Sequence, residues 1–293
     1  MDWFAIIKAI VLGIVEGLTE FAPVSSTGHM IIVDDMWLKS QEFLGKYTAN
    51  TFKVVIQLGS ILAVVVIFRN RFIDLLGLKR FSRKAMEPDR IVAGGAVLQN
   101  RTGGGGHLTL GQVIVGLIPA GILGFLFEDY IDNYLFSTAT VLIGLVVGAI
   151  FMIIADRFSA RRTPRTENVD QITYGQALGM GLIQCFSLWP GFSRSGSTIS
   201  GGIMLGMSHR AAADFTFIMA VPIMAGASLI SLMKNWQYFT MDALPFFIAG
   251  FISAFVFALL SMRFFLKLIN RIKLLPFAIY RIVLAGLVYI IFF

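Results

Sequence analysis

The sequence predicts an all-α polytopic membrane protein with an inverted-topology repeat, each half a re-entrant helical hairpin plus three transmembrane helices. Three observations lead there. Of 293 residues, 57% are hydrophobic and only 14% charged, with mean hydropathy +0.79; a soluble domain carries about 25% charged residues. Several apolar runs reach the roughly 17–25 residues that cross a bilayer as a helix. Residues 1–29 and 174–213 each hold an apolar helix, a polar break rich in Gly, Pro and Ser, and a second short helical stretch. Neither leg of these two segments is long enough to span comfortably.

In chain order, the first repeat covers residues 1–127 plus 138–155. It opens with a re-entrant hairpin at about 3–33, an apolar run broken only by Lys8 that leads into VEGLTEFAPVSSTGHM, Val15 to Met30. Spans are predicted at 52–68, 110–127 and 138–155, with a flexible cytoplasmic loop at 69–109. The second repeat covers 174–293, with a re-entrant hairpin at about 174–213 and spans at 214–232, 244–262 and 276–293. Together they make one integral membrane domain. Pro119 and Pro222 fall inside predicted spans, where neighbouring helices can satisfy the freed backbone groups. No cleavable leader is legible, so the first apolar run is kept as structure. The single cysteine, Cys185, cannot form an intrachain disulfide.

Charge sets the orientation. The loops at 69–109, 156–173 and 263–275 hold most of the 24 Lys and Arg, whereas 128–137 has Glu128, Asp129 and Asp132 and no basic residue. Basic loops stay cytoplasmic. The net charge of +7 is therefore topology, and a nucleic-acid partner is not expected. Segment 52–68 then runs inward, 174–213 enters and leaves on the cytoplasmic side, and 1–29 does the same on the outer side, with both termini outside. GIVEGLTEFAPVSSTG (13–28) resembles GLIQCFSLWPGFSRSG (181–196) with one gap, as an inverted repeat requires. Eight spans, two of them irregular, is the plainer alternative. The Gly-rich stretch at 85–109 reads as flexible linker, and its Asn-Arg-Thr glycosylation pattern has no meaning on the cytoplasmic side.

The breaks carry the chemistry. Glu16 and Glu20 share one face of the first hairpin helix, with no Lys or Arg within a turn. Carboxylates at membrane depth are costly and mark functional paths, and such a pair shares a proton or a cation. Pro23 breaks the helix, and Ser25 or Ser26 is a natural N-cap for the next. Thr27 and His29 follow within a turn. In WPGFSRSGST, Pro190 and Gly191 form the second break, and Ser193, Ser195, Ser197 and Thr198 crowd Arg194. Backbone N–H groups at a helix start attract anions, and the arginine fork suits phosphate oxygens. A salt bridge from Arg194 to Glu16 or Glu20 is a compatible structural reading. His107 and His209 have no polar cluster around them.

These residues resemble the undecaprenyl-diphosphate phosphatases of the bacitracin-resistance type. The resemblance rests on EGLTE (16–20), PVSSTGH (23–29) and PGFSRSGST (190–198), and extends through VVIQLGSILAVV (54–65) and PFAIYR (276–281). Only loop 85–109 looks foreign to the pattern. The resemblance implies hydrolysis of undecaprenyl diphosphate to the monophosphate and phosphate, recycling the carrier lipid for cell-wall polymers. It also implies a site open to the outer face of the bacterial inner membrane and dependence on a divalent cation.

On this reading Glu16, Glu20, Ser25, Ser26, His29 and Arg194 are the catalytic candidates. Thr27, Gly191, Ser193, Arg194, Ser195 and Thr198 would hold substrate phosphate. Arg194 alone cannot balance a diphosphate beside two glutamates, so a divalent cation, Mg2+ or Ca2+, bridging Glu16, Glu20 and substrate is expected. The favoured nucleophile is Ser26, with His29 or Glu20 as base; Ser25, His29 itself and a metal-bound water are alternatives. The rival reading is a transporter or flippase of a polyprenyl phosphate or other anionic lipid, since broken helices at a central site also build carriers. A homodimer stays open.

Overall fold

The computed structural model describes residues 3–78, 107–160, 162–238 and 241–292. Among them the structure is helical, and extended pairing is limited to one bridge between Thr166 and Met207. In order the helices are α1 (Trp3–Thr19), α2 (Ser26–Met30) running on as a π-helix (Ile31–Leu38), α3 (Ser40–Leu44), α4 (Lys46–Ile67) and α5 (Arg69–Leu75). They continue with α6 (Leu110–Leu126), α7 (Glu128–Tyr134), α8 (Thr138–Ser159), α9 (Tyr174–Gln184) and α10 (Arg194–Met204). The last three are α11 (His209–Asn235), α12 (Leu244–Ile272) and α13 (Leu275–Phe292). Most of the loop predicted at 69–109 lies outside the described residues; α5 occupies its start.

Five stretches among the described residues are long and apolar enough to cross a membrane: Tyr47–Ile67, Thr138–Ser159, His209–Asn235, Met241–Ile272 and Leu275–Phe292. The sixth predicted span, 110–127, is the 17-residue α6. At about 1.5 Å per residue it falls a few Å short of a roughly 30 Å hydrocarbon core. Several boundaries also shift. The segment assigned to the first hairpin, about 3–33, is followed without a break in helix by residues up to Leu38. Helix α10 ends at Met204, and residues 209–213, assigned to the second hairpin, begin α11. α12 continues past 262 to Ile272, through Arg263, Lys267 and Arg271. Apolarity marks the part of a helix in lipid, but helical hydrogen bonding continues where long basic side chains reach the interface.

The sequence dictates which face of each helix is buried. On α8, Leu145, Ala149, Met152 and Ala155 are fully buried at helical spacing, while Ile143, Val147, Ile150 and Ile154 are each about half exposed. The exposed stripe is apolar, as a lipid-facing surface must be. Thr109, Ser137, Thr173 and Ser208 cap α6, α8, α9 and α11 through their side chains. The early part of α11 is enclosed all round, with Phe215, Phe217, Ile218 and Met219 fully buried.

Two close helix crossings place the breaks. α1 lies along α12, where a Cβ on Gly13 would stand 2.4 Å from the Gly250 carbonyl oxygen. α9 lies along α6, where a Cβ on Gly181 would stand 2.3 Å from the Gly116 carbonyl oxygen. Glycine is required at both because only it allows backbones this close. At one end of the bundle Asp156 joins three helices. Its Oδ1 lies 2.8 Å from His209 Nε2, and its Oδ2 accepts from the N–H groups of Leu274 and Leu275 at the start of α13.

Candidate active site

Each break ends in a serine with an unusual backbone. After α1 the chain turns through residues 20–24 and restarts at Ser25, with φ 72°. After α9 a 3-10 turn (Cys185–Leu188) leads through Pro190 and Gly191 to Ser193, with φ 71°. Positive φ in a residue with a side chain costs on the order of 1–3 kcal/mol. Capping offsets it: Ser25 Oγ accepts from Gly28 N–H at 3.4 Å, and Ser193 Oγ from Gly196 N–H at 3.2 Å. The residue after each cap, Ser26 or Arg194, is then directed at Glu20.

The two halves meet there. Ser26 Oγ donates to Glu20 Oε2 at 2.6 Å, and Arg194 Nη2 donates to Glu20 Oε1 at 2.9 Å. Ser195 Oγ donates to the Ala22 carbonyl at 3.2 Å, tying the second break to the first. Sequence reading found no basic partner within a helical turn of the glutamates and left a bridge from Arg194 to either of them open. The structure supplies one from 174 residues away, because the breaks face each other. Arg194 Nη1 and Gln184 Nε2 are both buried and find no hydrogen-bond partner among the described residues. A protein rarely leaves such donors orphaned, and here they belong to residues lining a cavity.

That cavity has a volume of about 270 Å³. Glu20, Ser25, Ser26 and Thr27 line it from the first break, and Gln184, Ser187, Gly191, Ser193 and Arg194 from the second. Gln57 of α4 adds a third polar source, and Ala120, Ile223, Met224 and Ala227 form an apolar side. A carboxylate bonded to a hydroxyl can take its proton and make it a nucleophile, while the arginine beside it, with one nitrogen free of hydrogen bonds among the described residues, holds an anion.

Four of the predicted site residues lie outside this lining. Glu16, one turn before Glu20, is buried, and its Oε1 has no hydrogen-bond partner among the described residues. His29 Nδ1 lies 2.8 Å from the Ser25 carbonyl, which can only accept, so Nδ1 carries hydrogen. His29 Nε2 lies 2.6 Å from the Tyr280 hydroxyl. Neither imidazole nitrogen is given to Ser26. Ser195 bonds Ala22 as above, and Thr198 donates to the Arg194 carbonyl at 2.8 Å while accepting from Thr216. Gln57, Gln184, Ser187 and Tyr280 escaped the sequence reading. Gln184 had a signal, since it matches Glu16 in the paired segments 13–28 and 181–196.

The residues fit a divalent cation only in part. No group of three or more His, Cys, Asp or Glu gathers among the described residues. Glu16 and Glu20 are the available carboxylates, and Glu16 Oε1 is a buried acceptor with nothing to accept. One or two carboxylates plus substrate phosphate oxygens is the donor set that Mg2+ takes. The site thus suits an ion held jointly with a phosphate ligand rather than by protein alone.

Residues 9–287 match the family described as bacitracin resistance protein BacA. The chain is 72% identical over 293 residues, all of both chains, to the undecaprenyl-diphosphatase of Geobacillus sp. (strain WCH70). It is 58% identical over 291 residues, 99% of each chain, to the undecaprenyl-diphosphatase of Bacillus subtilis (strain 168). The full-length match takes in loop 85–109, which is therefore no addition relative to the Geobacillus protein. With the family's description covering nearly the whole chain and relatives this similar from end to end, the chain belongs to the BacA bacitracin resistance family.

Proposed function

We propose that this chain hydrolyses undecaprenyl diphosphate to undecaprenyl phosphate and inorganic phosphate in the cavity between the two breaks. The observation that carries this reading is the Ser26–Glu20–Arg194 chain, nucleophile, base and anion holder in direct contact. The names of the relatives supply the substrate.

The terminal phosphate binds with its oxygens on Arg194 Nη1 and Gln184 Nε2, the two donors that lack partners. Glu20 Oε2 takes the Ser26 proton as Oγ attacks the terminal phosphorus. The bond from that phosphorus to the bridging oxygen breaks, and undecaprenyl phosphate leaves with the proton from Glu20. Water then attacks the phosphoserine, giving its proton to Glu20, and phosphate departs with Ser26 Oγ reprotonated. Arg194 holds the charge that spreads over the transferring group in both steps. Glu16 and Glu20 would hold a divalent cation together with the diphosphate, and its role is neutralisation of the crowded negative charge. The lipid tail runs out along Ile223, Met224 and Ala227.

The same reading includes an inverted repeat. Ser25 and Ser193 share conformation and capping, and Gly13 and Gly181 make equivalent contacts with helices of the opposite half. All of these pairs stand at one constant chain offset. With basic loops inside, the protein lies in the bacterial inner membrane with its site open to the periplasm and both termini outside.

Phosphate release from undecaprenyl diphosphate by detergent-purified protein tests the function, with Glu20→Gln and Arg194→Ala alongside and a chelator added to each. Release by the parent and its loss in both variants is the expected result. A carrier has no gradient to act on in detergent, so a well-folded parent that releases nothing points to lipid transport instead. Release that survives the chelator removes the cation.

A further inference from the structure

Two neighbouring residues of α13 reach the two breaks separately. Arg281 is completely buried. Its Nη2 donates to the carbonyls of Gly191 at 2.8 Å, Phe192 at 2.9 Å and Gly144 at 3.2 Å. Burying a guanidinium among carbonyls, with no carboxylate in contact among the described residues, is costly, so its position calls for an explanation. The helix cannot use the carbonyls of 191 and 192, because the chain breaks at Pro190 and Gly191. A buried carbonyl needs a partner, and Arg281 supplies one for both.

The packing leaves this turn no other place. A Cβ on Gly144 would stand 2.4 Å from the Pro190 carbonyl oxygen. One on Gly148 would stand 2.4 Å from Arg281 Nη2 and 2.5 Å from the Phe192 oxygen. Residues 190–192 are thus wedged between the glycine face of α8 and the Arg281 guanidinium. Ser193 and Arg194 come next in the chain, so the direction of Arg194 follows from that wedge.

Tyr280 does the equivalent for the first break. Its hydroxyl lies 2.6 Å from His29 Nε2, and the two rings lie 10° from parallel with centroids 5.6 Å apart. His29 Nδ1–H donates to the carbonyl of Ser25, the cap that precedes Ser26. A carbonyl in each break is therefore held, directly or through one imidazole, by adjacent residues of one helix.

We propose that Tyr280 and Arg281 are positioning residues that set Ser26 and Arg194 in register across the site. The kinetic part of this proposal rests on the phosphatase reading; the structural part does not. The test uses full-length Tyr280→Phe, Arg281→Lys, His29→Gln and the Tyr280→Phe/His29→Gln double variant in detergent. Steady-state kinetics on undecaprenyl diphosphate and amide hydrogen exchange are read on the same samples.

Misplacing a reacting group by about 1 Å costs up to roughly a hundredfold in rate. Tyr280→Phe is therefore expected to lower kcat about tenfold with KM within about twofold. It should add nothing further in the His29→Gln background, because it acts through His29. Arg281→Lys is expected to lower kcat by about tenfold to a hundredfold. Exchange should rise at residues 26–30 in Tyr280→Phe and at 193–198 in Arg281→Lys, with the melting temperature of Tyr280→Phe unchanged. A Tyr280→Phe enzyme within twofold of the parent, or losses that simply add to those of His29→Gln, would overturn the proposal. If Arg281→Lys fails to fold, Tyr280→Phe decides. If the parent releases no phosphate, the functional reading fails and exchange alone decides: unchanged protection at both breaks sinks the proposal, and local loosening sustains it.

Discussion

Ser25 and Ser26 stand side by side, yet the fold gives their hydroxyls different partners, a backbone N–H for one and a carboxylate for the other. Ser25→Ala should therefore be read mainly in stability, at about 1 kcal/mol for a lost N-cap. Ser26→Ala should leave the melting temperature near the parent and lower kcat by at least about 10³-fold. Glu20→Gln, which removes the proton acceptor, should lower kcat by about 10²–10⁴-fold. Gln184 makes a distinct prediction. An orphaned buried donor costs about 1–3 kcal/mol, so Gln184→Met should raise the melting temperature of the ligand-free protein while raising KM. Glu20, Ser26 and Arg194 were legible in sequence because each is polar within an apolar hairpin. The choice of Glu20 over Glu16 as the partner of Arg194 was not, since the two carboxylates share one helix face and only the fold decides between them. Gln184 was passed over because a neutral amide in an apolar helix carries no charge to flag it.

At the scale of elements, the two breaks depend on backbone room. Gly191 sits at φ +89°, and a Cβ there would lie 2.2 Å from the Val141 carbonyl oxygen. Gly191→Ala combines overpacking with a backbone that alanine disfavours, so it should destabilise by more than the 1–3 kcal/mol of overpacking alone. A thermal unfolding series against Gly226→Ala, where a Cβ meets nothing within 4 Å, measures the difference. Helix existence was legible from the length of the apolar runs, and Pro23 and Pro190 marked both breaks. Helix ends were less so. Hydropathy stops at Arg263 and Lys267, but α12 continues because its hydrogen bonds do not depend on side-chain polarity. The π-helical run to Leu38 had no sequence signal either.

For the whole molecule, the sidedness drawn from charge makes a prediction that geometry alone does not. In cells carrying Cys185→Ser, a cysteine at exposed Arg162 should react with an impermeant thiol reagent only after the membrane is opened. A cysteine at exposed Asp129 should react from outside. Reversal of this pattern would invert the topology and put the site on the other face. The all-helical, membrane-spanning character was legible from composition, since a chain this apolar has few ways to satisfy its backbone in lipid. A site drawn from both breaks was read from their complementary residues, but the crossings of α1 with α12 and α9 with α6 that bring them together were not, because they join distant parts of the chain.

The most direct test of a joint site at the two breaks is a rapid-quench single turnover with undecaprenyl diphosphate radiolabelled in its terminal phosphate. Parent, Ser26→Ala and Arg194→Ala proteins would be compared at equal folded concentration. The label should appear as inorganic phosphate with the parent, passing through a transient protein-bound phosphoserine at Ser26, and stay on the lipid with both variants. Full phosphate release by either variant would contradict a site assembled from one residue of each break.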